Sequence, residues 1–122
     1  MLPLTLANLD VGVPVTEVRM GVDTDLDQWR DAIRPDTKAV FFESVSNPTL
    51  EVIDVTGVAE LAHAVGAKVV IDNVFATPVF SKAFALGADV VIYSATKHID
   101  GQGRCLGGVI CASRDFIRKV AE

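Results

Sequence analysis

The chain has 122 residues, 50% hydrophobic and 22% charged, the balance of one folded domain rather than of a disordered tail. Lys and Arg total 11 against 16 Asp and Glu, a net charge of −5 with no basic run, so a nucleic-acid backbone is a poor partner. Cys105 and Cys111 make no disulfide scaffold, no stretch approaches a membrane-spanning length, and the opening MLPLTLANL lacks the positive start of a signal peptide; the expected setting is cytoplasmic, with no membrane.

In chain order, Val15 to Arg19 reads as a short strand. Asp25 is placed to cap a helix over Leu26 to Ile33, with Asp27 in its first turn and Pro35 ending it. Lys38 to Glu43, KAVFFE, is a nearly continuous apolar strand, the kind a parallel sheet covers on both faces. SVSNPTLEVI is a loop. Asp54 caps a helix in VTGVAELAHAV, where Val55, Val58, Ala59, Ala62 and Val65 keep helical spacing and Gly66 closes it. Gly57 weakens its first turn.

Ala67 to Asp72 is the next strand, and NVFATP is a loop. Ser81 to Leu86 is a short helix stopped by Gly87. Asp89 to Ser94 is a third strand, Gly108 to Cys111 a fourth, and Ser113 caps a last helix over Arg114 to Val120. The alternation predicts an α/β fold with a mostly parallel sheet and flanking helices.

Polar residues gather where these strands end. Glu43 and Asn47 follow one, Asp72 and Asn73 the next, Ser94, Thr96 and Lys97 the third. If the three strands are parallel, all of them converge at the sheet edge where ligands of such folds bind. A lysine beside a pocket can attack a carbonyl. Hydroxyls and backbone amides can hold phosphate oxygens. An aspartate at the end of an apolar strand needs a cationic or proton-donating partner, which a pyridine nitrogen supplies. These are the parts of a pyridoxal-phosphate site. Each also has a plainer reading: Lys97 as a solvated surface lysine, Asp72 as a turn cap, Ser94 and Thr96 as caps or turn residues.

Gly101, Gly103 and Gly107 read GxGxxxG, close to a dinucleotide fingerprint. That fingerprint follows a strand and opens a helix, with its third glycine where Leu106 stands, and Gly108-Val109-Ile110 looks like the start of a strand. The glycines are better explained as letting the chain fold tightly against the lysine segment. No spacing makes a metal site. His63 belongs to a helix surface or a packing contact, and His98 points away from Lys97 if their segment is extended. Cys105 reads as a small apolar filler, Cys111 as core, and Trp29 as packing.

ESVSNPTLEVID, AHAVGAKVVIDNVFATP and LGADVVIYSATKHIDGQGRCLGGVI, in this order, resemble the Cys/Met metabolism family of pyridoxal-phosphate enzymes. The resemblance runs from about Val15 to the end and is densest from Lys38 to Cys111. It implies part of an aspartate aminotransferase-like large domain. It makes Lys97 the Schiff-base lysine and proton shuttle, Asp72 the partner of the pyridine nitrogen, and Ser94 and Thr96 holders of the phosphate. Asn47 would lie near the ring hydroxyl and substrate, with Glu43, Asn73 and Thr77 in support. The cofactor is pyridoxal 5′-phosphate, the substrate a small amino acid, and the assembly a dimer or tetramer of one chain.

The wording HIDGQGRCLGG resembles the sulfhydrylase branch, which makes homocysteine from O-succinylhomoserine and sulfide in methionine biosynthesis. Relatives nearer the cystathionine gamma-synthases and the cystathionine or methionine gamma-lyases more often carry Asn where Asp100 stands and lack the Arg104-Cys105 pair. Family members are about three times this length. The resemblance therefore implies that residues 1–122 are an incomplete cofactor domain, lacking the upstream phosphate loop and stacking tyrosine and the small C-terminal domain with its carboxylate-binding arginine. Tyr93, Arg114 and Arg118 stand in the wrong segments to replace them. A catalytically dead piece with a structural or dimer-forming role is the remaining alternative.

Overall fold

The computed structural model describes residues 25–121; the strand expected at Val15 to Arg19 lies outside them. Helix α1 spans Leu26–Ala32, and the Asp25 carboxylate accepts the Asp27 amide at 3.0 Å, satisfying one of the open donors of the first turn. Strand β1, Ala39–Glu43, follows. Helix α2, Val55–Ala64, starts on Asp54, whose Oδ1 accepts the Gly57 amide at 3.0 Å. Strand β2 is Lys68–Asp72 and β3 is Val90–Ser94. Strand β4, Gly108–Ala112, leads to an amphipathic helix, Arg114–Ala121, whose first turn is closed by Ser113 Oγ on the Phe116 amide.

The sheet order is β1-β2-β3-β4. β1, β2 and β3 run parallel, with Glu43 opposite Asp72 and Asp72 opposite Ile92. β4 is antiparallel, pairing Ser94 with Gly108. The α/β reading and the mostly parallel sheet hold. The core lies between the sheet and helices α1 and α2: Val58, Val69, Ile71 and Val91 are fully buried, and the Trp29 ring meets Phe42 edge-on at 5.2 Å. Each such apolar side chain contributes roughly 1.5–3 kcal/mol by leaving water.

Three expectations need correction. β1 is not covered on both faces: Val40 and Phe42 are buried, whereas Phe41 between them is 51% exposed. The helix expected at Ser81 to Leu86 is only a 3-10 turn at Ala83–Leu86, and a separate short helix precedes it. Helix α3 spans Thr77–Phe80 with Pro78 in its first turn, the position where a proline's missing N–H costs nothing, so part of NVFATP is helical rather than loop. Ser81 is extended (φ −122°, ψ 117°) and breaks the helix before a 3-10 turn at Ala83–Leu86. Finally, Ala95–Ile99 does not meet the extended condition on which the His98 reading depends: it is a wide helical turn closed by the Asp100 amide on the Ala95 carbonyl at 2.9 Å.

Gly87 ends the 3-10 turn as expected, at φ +108°. A Cβ there would also stand 2.6 Å from the Ala59 Cβ of α2, so glycine is required both by the backbone and by the approach of the helix. Gly57 is more than a weak helix former: a Cβ there would stand 2.6 Å from Leu26 of α1.

Candidate functional site

The parallel strands end together, and the residues after each end face a common space. A cavity of about 180 Å³ is lined by Glu43, Asn47, Asp72, Ser94 and Lys97, with Val45, Val74 and Phe75 as its apolar wall. Four of the five residues expected to bind the cofactor (Asn47, Asp72, Ser94 and Lys97) therefore meet in one place.

Each is set by local structure. Asn47 sits in a turn with a cis bond to Pro48, and its amide donates to Glu43 Oε2 at 2.8 Å. Glu43 thus supports the turn as well as lining the cavity. Asp72 closes β2; its Oδ1 accepts the Val74 amide at 2.9 Å, and Oδ2 has no hydrogen-bond partner among the described residues. Ser94 closes β3, and its hydroxyl caps nothing. Lys97 follows at a break in the wide turn (φ −89°, ψ −110°) and is exposed at the cavity rim.

Thr96 does not line this cavity. Its Oγ1 accepts the Gly107 amide at 3.2 Å, and the Gly107 carbonyl accepts the Ala95 amide at 2.8 Å, so the glycine loop is laced to the lysine turn. That is the tight fold expected of the glycines. The Gly101 amide is spent on the Lys97 carbonyl at 2.8 Å and is not free to hold a dinucleotide. Asp100 takes the Arg104 amide at 2.7 Å and the Gln102 amide at 3.3 Å, and its carboxyl is held below the usual range by the Arg104 amide first, then by the Cys105 thiol and the Gln102 and Gly103 amides. β4, not a helix, follows the loop.

Cys105 is exposed, its thiol 3.4 Å from Asp100, so the filler reading is corrected: no core lies beneath this loop. Cys111 packs at the core margin as expected. His98 does face away from Lys97, but because of the turn and not an extended chain. It lines a second, apolar cavity of about 230 Å³ with Thr77, Tyr93 and Cys111. Among the described residues no group of His, Cys, Asp and Glu could hold a metal ion, and no helix is long and apolar enough to cross a membrane.

Sequence reasoning missed Ser44 and Tyr93. Both hydroxyls bond the side chain of Asn73, which is fully buried: Ser44 Oγ donates to Oδ1 at 2.7 Å, and Nδ2 donates to the Tyr93 hydroxyl at 3.0 Å. The available signal is position, since Ser44 follows Glu43 and Tyr93 precedes Ser94 at the strand ends.

Away from the site, Asp89 joins β2 and β3 by accepting from Lys68 Nζ at 2.7 Å and the Val69 amide at 2.9 Å and pairing with His63 Nε2 at 2.9 Å. Burial pushes its carboxyl up, but these bonds and the Lys68 charge outweigh it and hold it at about 2. His63 is on the helix surface, as expected.

The sequence pattern of the family described as Cys/Met metabolism PLP-dependent enzyme matches residues 6–121. The chain is 57% identical over 105 residues to O-succinylhomoserine sulfhydrylase of Mycobacterium tuberculosis, covering 81% of this chain and 26% of that protein. It is 50% identical over 97 residues to the O-succinylhomoserine sulfhydrylase of Pseudomonas aeruginosa, covering 80% and 24%. The fold matches the crystal structure of cystathionine gamma-lyase from Lactobacillus plantarum complexed with L-serine, with a TM-score of 0.74 and 36% identity, over 82% of this chain and 26% of that one. The chain thus spans about a quarter of the length of the relatives it matches. It belongs to the Cys/Met metabolism family of pyridoxal-phosphate-dependent enzymes.

Proposed function

We propose that the cavity at the ends of β1, β2 and β3 seats pyridoxal 5′-phosphate, and that the protein uses it for gamma-replacement, forming homocysteine and succinate from O-succinylhomoserine and sulfide. The observation that carries this reading is the meeting of Asn47, Asp72, Ser94 and Lys97 around one cavity, with Asp72 Oδ2 lacking a protein partner among the described residues. A carboxylate oxygen left open at a ligand cavity suits a ring N–H, and the amine and hydroxyl beside it suit an aldehyde and a phosphate, so the donor set fits the cofactor.

When bound, the pyridoxal group supplies an electron sink for charge developing on the substrate. The chain's own residues then have these roles. Asp72 holds a proton on the ring nitrogen. Lys97 Nζ would be the point at which the group is held, and its amine would serve as the base for the substrate's alpha proton. Ser94 donates to the phosphate. Thr96, outside the cavity, holds the Gly107 amide and so fixes the turn that carries Lys97. Asn47 is held by Glu43 beside the ring hydroxyl and the substrate. We also propose that residues 1–122 form one part of a larger cofactor domain, whose other segments complete the phosphate and substrate-carboxylate contacts, in an assembly of identical chains.

Product analysis tests the reaction. O-succinylhomoserine with sulfide should yield homocysteine, and the yield should vanish in Lys97→Ala. Cystathionine formed preferentially when cysteine is the thiol would instead establish the gamma-synthase reading. Breakdown of cystathionine without a second substrate would establish a lyase, the reading favoured by the fold match to a cystathionine gamma-lyase.

A further inference from the structure

Three residues that do not line the cavity each stand next to residues that do. Ser44 lies between Glu43 and Val45, Asn73 between Asp72 and Val74, and Tyr93 beside Ser94. These three are joined in one buried network. Asn73 is fully buried and Ser44 is 4% exposed.

The orientation of the Asn73 amide follows from its partners. Nδ2 lies 3.2 Å from the Thr77 carbonyl and 3.3 Å from the Ser81 carbonyl, which can only accept. Oδ1 must therefore face Ser44, whose hydroxyl donates, and Nδ2 also reaches the Tyr93 oxygen. The Asn73 backbone is equally committed: its amide donates to Ile92 and its carbonyl accepts from Thr77. The β1 end is tied to β2 again by the Ser44 amide on the Asp72 carbonyl at 3.0 Å.

We propose that Ser44 and Tyr93 are positioning residues that act through Asn73. They pin the end of β2 to the ends of β1 and β3, and so set where the Asp72 carboxylate stands relative to Ser94 and Lys97. A buried amide held between the ends of β1 and β3 admits one arrangement: losing the Ser44 hydroxyl leaves Oδ1 without its donor, and losing the Tyr93 hydroxyl leaves Nδ2 only the Thr77 and Ser81 carbonyls and cuts the tie to β3, so the strand end is freed to shift. This inference rests on the cofactor reading above for its consequence, but not for its geometry.

The test uses the full chain as wild type, Ser44→Ala, Tyr93→Phe and the double variant. Without cofactor, hydrogen exchange at the Asn73 and Val74 amides should be at least about tenfold faster in either single variant. With pyridoxal phosphate, the visible band of the lysine-bound group should titrate with an affinity roughly 3- to 10-fold weaker in each. Because both hydroxyls act on one amide, the double variant should lose less than the product of the two. Variants that melt at lower temperature yet keep wild-type exchange and affinity would overturn the proposal, as would losses that multiply. A wild type that forms no band would sink the cofactor reading instead, and the exchange rates would still decide whether Ser44 and Tyr93 hold the β2 end. Tyr93→Phe removes only an oxygen, so the comparison survives if Ser44→Ala fails to fold.

Discussion

Asp72 and Asp89 are two carboxylates on the same pair of strands with opposite circumstances. Asp89 spends both oxygens on protein donors, whereas Asp72 spends one. The first is a structural clamp and the second is left open toward the cavity. Because Asp89 is held at about 2 instead of its ordinary 3.8, its contribution to stability is fully present above about pH 4 and is lost as the pH falls through about 2. Asp89→Asn should therefore lower stability at neutral pH by on the order of 1–2 kcal/mol, allowing for the solvent around Lys68 and His63, and the difference should shrink toward pH 2 in denaturant titrations. Asp72→Asn should leave stability nearly unchanged while cutting turnover about 10²–10³-fold, the usual loss when one preorganised charge is removed from a reacting centre. The open carboxylate was legible in the sequence because Asp72 ends an apolar run. Thr96 and Asn73 were less so: the Gly107 bond to Thr96 spans eleven residues and the Ser44 bond to Asn73 spans 29, and pairings at such separations exist only once the strands are placed.

Among the elements, local signals performed best. Asp25 and Asp54 cap α1 and α2 because a cap needs only the two or three residues that follow it. The covering of β1 was misread because an apolar run does not say how many faces its neighbours reach, and Phe41 is left half exposed. The break at Ser81 is not legible in the sequence, because a helix start at Pro78 competes with it and NVFATP has the composition of a loop. Gly87 joins the local and tertiary levels. Gly87→Ala puts a side chain at φ +108° and against the Ala59 Cβ of α2, so it should destabilise the fold by about 2–4 kcal/mol in thermal or denaturant unfolding. The glycine loop is the converse case, built on the Asp100 carboxylate. Asp100→Ala should loosen that loop, seen as faster exchange at the Arg104 amide, and leave the α1–α2 core unaffected.

At the scale of the molecule, large apolar side chains lie uncovered among the described residues. Phe80 is 86% exposed, Val79 73%, Leu106 94%, and Phe75 and Phe84 about half. An apolar surface of this kind drives association. Sedimentation at micromolar concentration should give a mass above the 13.0 kDa of one chain, and a strictly monomeric species would contradict the proposed assembly. The α/β class and the convergence of strand ends were readable from the alternation of elements, but the open faces were not, since exposure is a property of the packed whole. The proposed function depends above all on Lys97, at the rim of the cavity shared with Asp72, carrying the cofactor. It is tested most directly by borohydride trapping of the protein with pyridoxal phosphate, followed by peptide mass mapping. Lys97 should be labelled stoichiometrically, with Lys38, Lys68, Lys82 and Lys119 unlabelled; labelling spread over those lysines, or none at Lys97, would rule out its role.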